Sequence, residues 1–95
     1  MYYIYIMLKH IAEMIGTFIL LFVILNNGET IPIAIALAAG IYMTGNISGG
    51  HLNPIVSTVM LLKHKIDVSN YISYIFSQLA GGILAYKFHS LIKTE

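Results

Sequence analysis

The residues with the clearest chemical capacity lie together at positions 48–57, SGGHLNPIVS, in the middle of an apolar chain. Asn53 is a favoured helix N-cap residue, and its side-chain amide can donate hydrogen bonds. Pro54 suits the first helical position, because its missing N–H is not needed there. The segment therefore predicts a glycine-rich loop leading into a helix that begins at Pro54. The chemistry available to it is hydrogen bonding by an amide and by a helix N-terminus.

Covalent catalysis and metal binding are poorly supported by the sequence. The chain has no cysteine, and it offers no nucleophile–base pair, carboxylate pair or metal cluster at useful spacing. His51 has no partner at ligand spacing and is expected to pack beside the loop. We therefore expect no enzyme activity, no metal and no cofactor. A net charge of +1 argues against a nucleic-acid partner, which would need a basic face.

The elements that must position this segment are predicted to lie in a lipid bilayer. Of the 95 residues, 58% are hydrophobic and 9% are charged, whereas about a quarter are charged in soluble domains. Residues 11–25 (extendable back to residue 1), 31–47 and 71–88 each approach the roughly 20 residues needed to cross a bilayer. We therefore expect an all-α, multi-pass integral membrane protein, with residues 1–95 as one domain and the lipid bilayer as its surroundings.

Residues 54–62 are too few to cross the bilayer. At about 1.5 Å per residue, such a helix covers less than half of the hydrocarbon core. A loop that enters the membrane and returns as a half-helix would resolve this, provided that the loop is buried in protein or lines a water-filled cavity. Its positive N-terminal end would then point to the midplane, as in transport sites. A loop lying on the membrane surface fits the composition equally well at this point.

Small residues recur four positions apart in each predicted span and centre on Gly16, Gly40 and Gly81. Such spacing lets helix backbones approach closely in lipid and favours a packed bundle. Glu13 lies within the first span, where a carboxylate is costly and needs a partner, unless it lies at the interface. Gln78 is expected to hydrogen-bond across helices.

Residues 48–57 resemble the first signature loop of the aquaporin and aquaglyceroporin family, whose usual pattern is Ser-Gly-x-His-x-Asn-Pro-Ala-Val. Three further blocks resemble that family in the same order: AEMIGTF at 12–18, GIYMTG at 40–45 and SQLAGGILA at 77–85. Together they correspond to the N-terminal half of the family's chain. The resemblance implies three transmembrane helices plus a re-entrant loop and half-helix, which form one half of an inverted repeat.

The resemblance also implies a passive pore for water or small uncharged solutes such as glycerol. Asn53 would donate to the passing molecule, Pro54 would fix the start of the half-helix, and the carbonyls of residues 49–52 would form a series of acceptors. Glu13 would accept hydrogen bonds from the loop and hold it in place. The pore and selectivity positions are Ile33, Gly49, Gly50, His51, Leu52, Asn53, Pro54, Ile55 and Val56.

Two of these positions depart from the family's pattern. A third matches the family's first half but does not supply the charged filter residue found in its second half. Ile55 replaces the usual alanine, and Ile33 stands where the family has a large aromatic filter residue. Val56 matches the family's first half, whereas the second half carries an arginine that this chain lacks. These residues predict a wider and less selective filter than that of a strict water channel.

One half of the family's chain encloses no pore, so we expect either a fragment or a chain that self-associates. An antiparallel homodimer would restore the inverted repeat. The lysines permit either orientation, since three (Lys9, Lys63 and Lys65) are expected at one end and two (Lys87 and Lys93) at the other. The alternatives are a non-conducting subunit that binds a full-length homologous channel, and a permeabilising or scaffold peptide.

Overall fold

The computed structural model describes residues 1–93, and every regular element in that range is an α-helix. The four helices are α1 (Tyr2–Asn26), α2 (Thr30–Ser48), α3 (Pro54–Leu62) and α4 (Val68–Ile92). The all-α prediction is confirmed. The three long helices correspond to the three predicted spans, and α3 is the predicted short helix.

Two of the long helices, α1 and α2, are long and apolar enough to cross a membrane. Helix α4 has 25 residues, but it does not meet the same criterion within the described residues. Polar side chains along its length, such as Asn70, Gln78 and Lys87, lower its hydropathy. That α4 also crosses the membrane stays a prediction.

Helix α1 is the centre of the bundle, because it packs against both α2 and α4, while α3 packs against α4. The bundle measures 44 × 24 × 21 Å, and its long axis is comparable to the roughly 40–45 Å of a bilayer with its headgroups. The starts of α1 and α4 and the ends of α2 and α3 meet at one end of the bundle, where they line a common cavity. We call this end the N-terminal end.

The interior of the bundle holds many polar side chains together with a small apolar core, and its exterior is largely apolar, unlike that of a typical soluble protein. The buried polar side chains are Glu13, Thr17, Thr44, Ser48, His51, Ser57 and Gln78. Large exposed apolar side chains lie on every helix, including Ile35 on α2 and Phe76 on α4. This distribution suits a protein whose surroundings are lipid.

Gly81 lets α1 and α4 cross in contact. A Cβ atom at this position would overlap the backbone carbonyl oxygen of Met14 and lie 3.1 Å from the backbone nitrogen of Phe18. Backbone atoms cannot move aside as a side chain can, so the crossing requires glycine. Its neighbour Gly82 has no such constraint, since the nearest atom to an added Cβ would be Leu21 Cγ at 3.9 Å.

Candidate functional site

The loop between α2 and α3 turns back into the bundle through three left-handed residues. The φ angles are +94° at Gly49, +65° at Gly50 and +54° at Leu52. Glycine adopts such angles without strain, whereas a residue with a branched side chain does so only when its surroundings hold it there. A Cβ on Gly50 would also lie 3.2 Å from Ile41 Cγ2. The two glycines therefore serve both the reversal of the chain and its close approach to α2.

Leu52 anchors the loop between the middles of α1 and α2. Its side chain is only 2% exposed and occupies the space opposite Gly16 and Gly40. A Cβ on Gly40 would lie 2.9 Å from Leu52 Cδ1, and a Cβ on Gly16 would overlap Leu52 Cδ2. Both glycines are predicted to serve helix–helix packing, and a Cβ on Gly40 would lie 3.8 Å from the backbone oxygen of Gly16. Their missing side chains also make room for the loop. The loop therefore reaches about half the length of the bundle.

The carboxylate of Glu13 holds the backbone of this loop. Its Oε2 accepts hydrogen bonds from His51 N at 2.9 Å and Ser48 Oγ at 2.6 Å. Its Oε1 accepts from Leu52 N at 2.8 Å and Gln78 Nε2 at 2.9 Å. The side chain is fully buried. Because buried backbone N–H groups without partners are costly, these bonds allow a non-helical segment to lie inside the bundle.

A second set of side chains joins the loop to α3 and α4. Ser57 Oγ lies 2.8 Å from His51 Nδ1 and accepts from Gln78 Nε2 at 2.9 Å. The Tyr74 hydroxyl donates to the backbone carbonyl of Ser48 at 2.7 Å, and the Tyr74 and His51 rings meet edge to face. The roles of Ser48, Ser57 and Tyr74 in this site were not predicted from the sequence. The four-residue spacing of Tyr74 and Gln78, which places them on one face of α4, was the available signal.

The tip of the loop presents Asn53 at the N-terminus of α3. Asn53 Oδ1 accepts from Ile55 N at 2.7 Å, and Pro54 occupies the first helical position. The cap uses the oxygen of the amide, and the side-chain nitrogen donates to no other group among residues 1–93. Asn53 and Pro54 are both exposed. The tip therefore offers a hydrogen-bond donor beside the positive end of a short helix.

The remaining predicted pore positions lie at different distances from the tip. Ile55 is 69% exposed, and Val56 is half-buried in the first turn of α3. Ile33 lies in the first turn of α2, remote in the chain from the loop, and does not line the groove beside the tip. Within the described part of the chain, the carbonyl oxygens of residues 49–52 accept no backbone hydrogen bond.

A groove of about 470 Å³ lies beside the tip, between α1 and α4; we call it the tip groove. Its polar lining consists of Thr17, Asn53 and Gln78, and its other walls are mainly aliphatic: Leu20, Leu21, Ile24, Leu52, Leu79 and Ile83. Thr17 Oγ1 and Gln78 Oε1 are buried without a hydrogen-bond partner. The loop is thus hydrogen-bonded to the bundle through Glu13 on one side, while its tip lines an open groove.

Residues 3–95 match the family model described as Major intrinsic protein. Glycerol uptake facilitator protein-like 6 of Lactiplantibacillus plantarum is 41% identical over 88 residues, which cover 83% of this chain and 41% of that protein. Aquaporin Z of Photorhabdus laumondii is 33% identical over 92 residues, which cover 81% of this chain and 40% of that protein.

A third relative is Aquaporin-4 of Mus musculus, 32% identical over 91 residues, which cover 77% of this chain and 28% of that protein. The chain therefore spans less than half the length of these relatives. No solved structure matches the chain.

Proposed function

This chain belongs to the major intrinsic protein family, and we propose that it supplies one half of a passive membrane channel for water or small uncharged solutes such as glycerol. The names of its relatives, a glycerol uptake facilitator protein-like protein and several aquaporins, support this class of solute. The apolar exterior of the bundle supports a position in the bilayer.

The observation that carries the proposal is the tip held at mid-length by Glu13, with Asn53 exposed beyond it. In the proposed mechanism the Asn53 side-chain nitrogen donates to the oxygen of the passing molecule. The carbonyls of residues 49–52 accept from its hydrogens, so that the solute exchanges water for protein partners as it moves. The positive end of α3 orients the solute dipole and repels cations.

The pore needs a second wall, which we propose is another copy of the chain in the opposite orientation. Asn53, Pro54 and Ile55 are exposed at the tip, and the tip groove is open on one side. An antiparallel copy would bring a second tip to the same depth. It would also cover Pro54, Ile55 and the aliphatic walls of the tip groove. Because no arginine occurs in the chain and Ile33 is smaller than an aromatic residue, the proposed filter passes glycerol as well as water.

Solute flux into proteoliposomes tests the proposal. The purified 95-residue chain is reconstituted, and osmotic swelling is followed by light scattering with water and with glycerol. The proposal predicts flux of both above that of empty vesicles, and a dimer mass after crosslinking. Absence of both fluxes would refute it. If the chain lacks flux alone but changes the flux of a co-reconstituted full-length homologue, it acts as a modulatory subunit.

A further inference from the structure

We propose that the cavity at the N-terminal end of the bundle binds a phosphate group, carried by an anionic phospholipid or free in solution. This cavity, which we call the end cavity, has a volume of about 470 Å³. It extends from the C-terminal end of α3 to Gly49 and His51 of the loop. The test below measures phosphate binding and not solute flux, so its outcome is separate from that of the proposed function.

The lining of the end cavity combines cations with neutral hydrogen-bond donors. Lys9 comes from α1 and Lys65 from the α3–α4 connection, with Asn46 and Tyr5 beside them. Tyr74 also lines the cavity, but its hydroxyl already donates to the Ser48 carbonyl. No carboxylate lines it among the described residues. Two ammonium groups, the Asn46 amide and the Tyr5 hydroxyl suit a phosphate, which accepts several charge-assisted hydrogen bonds.

Two features keep the positive charge of the lysines available to a ligand. The Lys9 ammonium lies 5.0 Å from the centre of the Tyr5 ring, a contact that leaves its hydrogen-bond donors unused. Glu13 is linked to the cavity through Ser48 and His51, but its carboxylate does not line the cavity and already accepts four hydrogen bonds.

The position of the end cavity along the bundle matches the headgroup region of a membrane. Helix α1 has 25 residues, so at about 1.5 Å per residue it exceeds the roughly 30 Å hydrocarbon core. Its first turns carry the exposed aromatics Tyr2, Tyr3 and Tyr5, which are typical of the membrane–water interface. Basic pockets between transmembrane helices at this depth bind anionic lipid headgroups.

The positions of the two lysines also have a simpler explanation, which the experiment must distinguish from phosphate binding. Helices α2 and α3 end at this cavity, and cations near helix C-termini are stabilising without any ligand. Lys63 provides the matched control. It belongs to the same connection as Lys65 and carries the same charge, but it does not line the end cavity.

The test measures the thermal unfolding midpoint of the chain in nanodiscs by circular dichroism. One arm replaces phosphatidylcholine stepwise by phosphatidylglycerol, and the other adds inorganic phosphate to pure phosphatidylcholine. We expect a saturable rise in one arm, with apparent affinity lowered about fivefold in Lys9→Gln and in Lys65→Gln, since each cation near the surface contributes about 1 kcal/mol. In Lys63→Gln the affinity should fall less than twofold.

The two arms identify the source of the phosphate, because a lipid-specific site responds to phosphatidylglycerol alone. An equal loss in all three variants would overturn the proposal in favour of diffuse surface charge. No response in either arm would mean that the lysines only offset the helix ends. The helical content of each variant, read from the same spectra, confirms that the folded states are comparable.

Discussion

The Oε2 atom of Glu13 lies 2.9 Å from the backbone nitrogen of His51, a residue 38 positions further along the chain. This contact joins the middle of α1 to a loop that makes no helical hydrogen bonds of its own at that point. The adjoining bonds to Leu52 N, Ser48 Oγ and Gln78 Nε2 share the same carboxylate. One carboxylate therefore binds two consecutive backbone N–H groups of the loop directly before the tip of α3.

Glu13→Gln is expected to destabilise the fold by about 3 kcal/mol. The amide keeps one oxygen but presents N–H groups where Oε1 or Oε2 accepted, so at least one buried backbone N–H of the loop loses its partner. The free energy of unfolding in mixed micelles measures this. Glu29→Gln is the control, because Glu29 is exposed and belongs to the α1–α2 turn. Equal effects of the two changes would contradict the role given to Glu13.

Leu52→Ala is expected to cost about 2–5 kcal/mol, because it leaves a cavity between α1 and α2 that neither helix can fill. Leu62→Ala removes the same atoms from a side chain that is 71% exposed and should cost far less. Both values come from the same micelle titrations. A small effect at Leu52 would show that the loop is not anchored there.

Gly81→Ala is expected to lower stability by about 1–3 kcal/mol, since the new methyl group would push against the α1 backbone at Met14. Gly82→Ala on the same helix should be neutral or stabilising, because its Cβ meets only Leu21 Cγ at ordinary distance and alanine favours helices. Thermal unfolding followed by circular dichroism compares the two. A reversed order would place the α1–α4 crossing elsewhere.

Asn53→Asp should separate the cap from the proposed pore. Aspartate keeps the oxygen that accepts from Ile55 N and is an equally good N-cap, but it lacks the donor nitrogen. We expect unchanged helical content and a loss of water and glycerol flux of up to about tenfold, since one hydrogen bond contributes about 0.5–1.5 kcal/mol and 1.4 kcal/mol corresponds to about tenfold. Unchanged flux would exclude Asn53 as the solute's donor.

Much of the fold follows from local rules that act within short stretches. The start of α3 is determined by Asn53 and Pro54, and the apolar runs determine α1 and α2. The spacing of Gly16 and Gly40 predicted close helix packing, but it could not predict that Leu52 fills the space beside them, because Leu52 comes from a distant loop. The same holds for Tyr74, whose hydroxyl meets the Ser48 carbonyl only after α4 has packed.

The depth of the α3 tip in the membrane tests the central claim most directly. The chain has no cysteine, so spin labels can be placed singly at Lys9→Cys, Ile55→Cys and Lys63→Cys. Accessibility to oxygen and to a water-soluble nickel complex then reports depth in vesicles, whichever way the chain inserts. The account predicts residue 55 near the bilayer centre and residues 9 and 63 at a headgroup region. A label at residue 55 that is as shallow as the other two would contradict it.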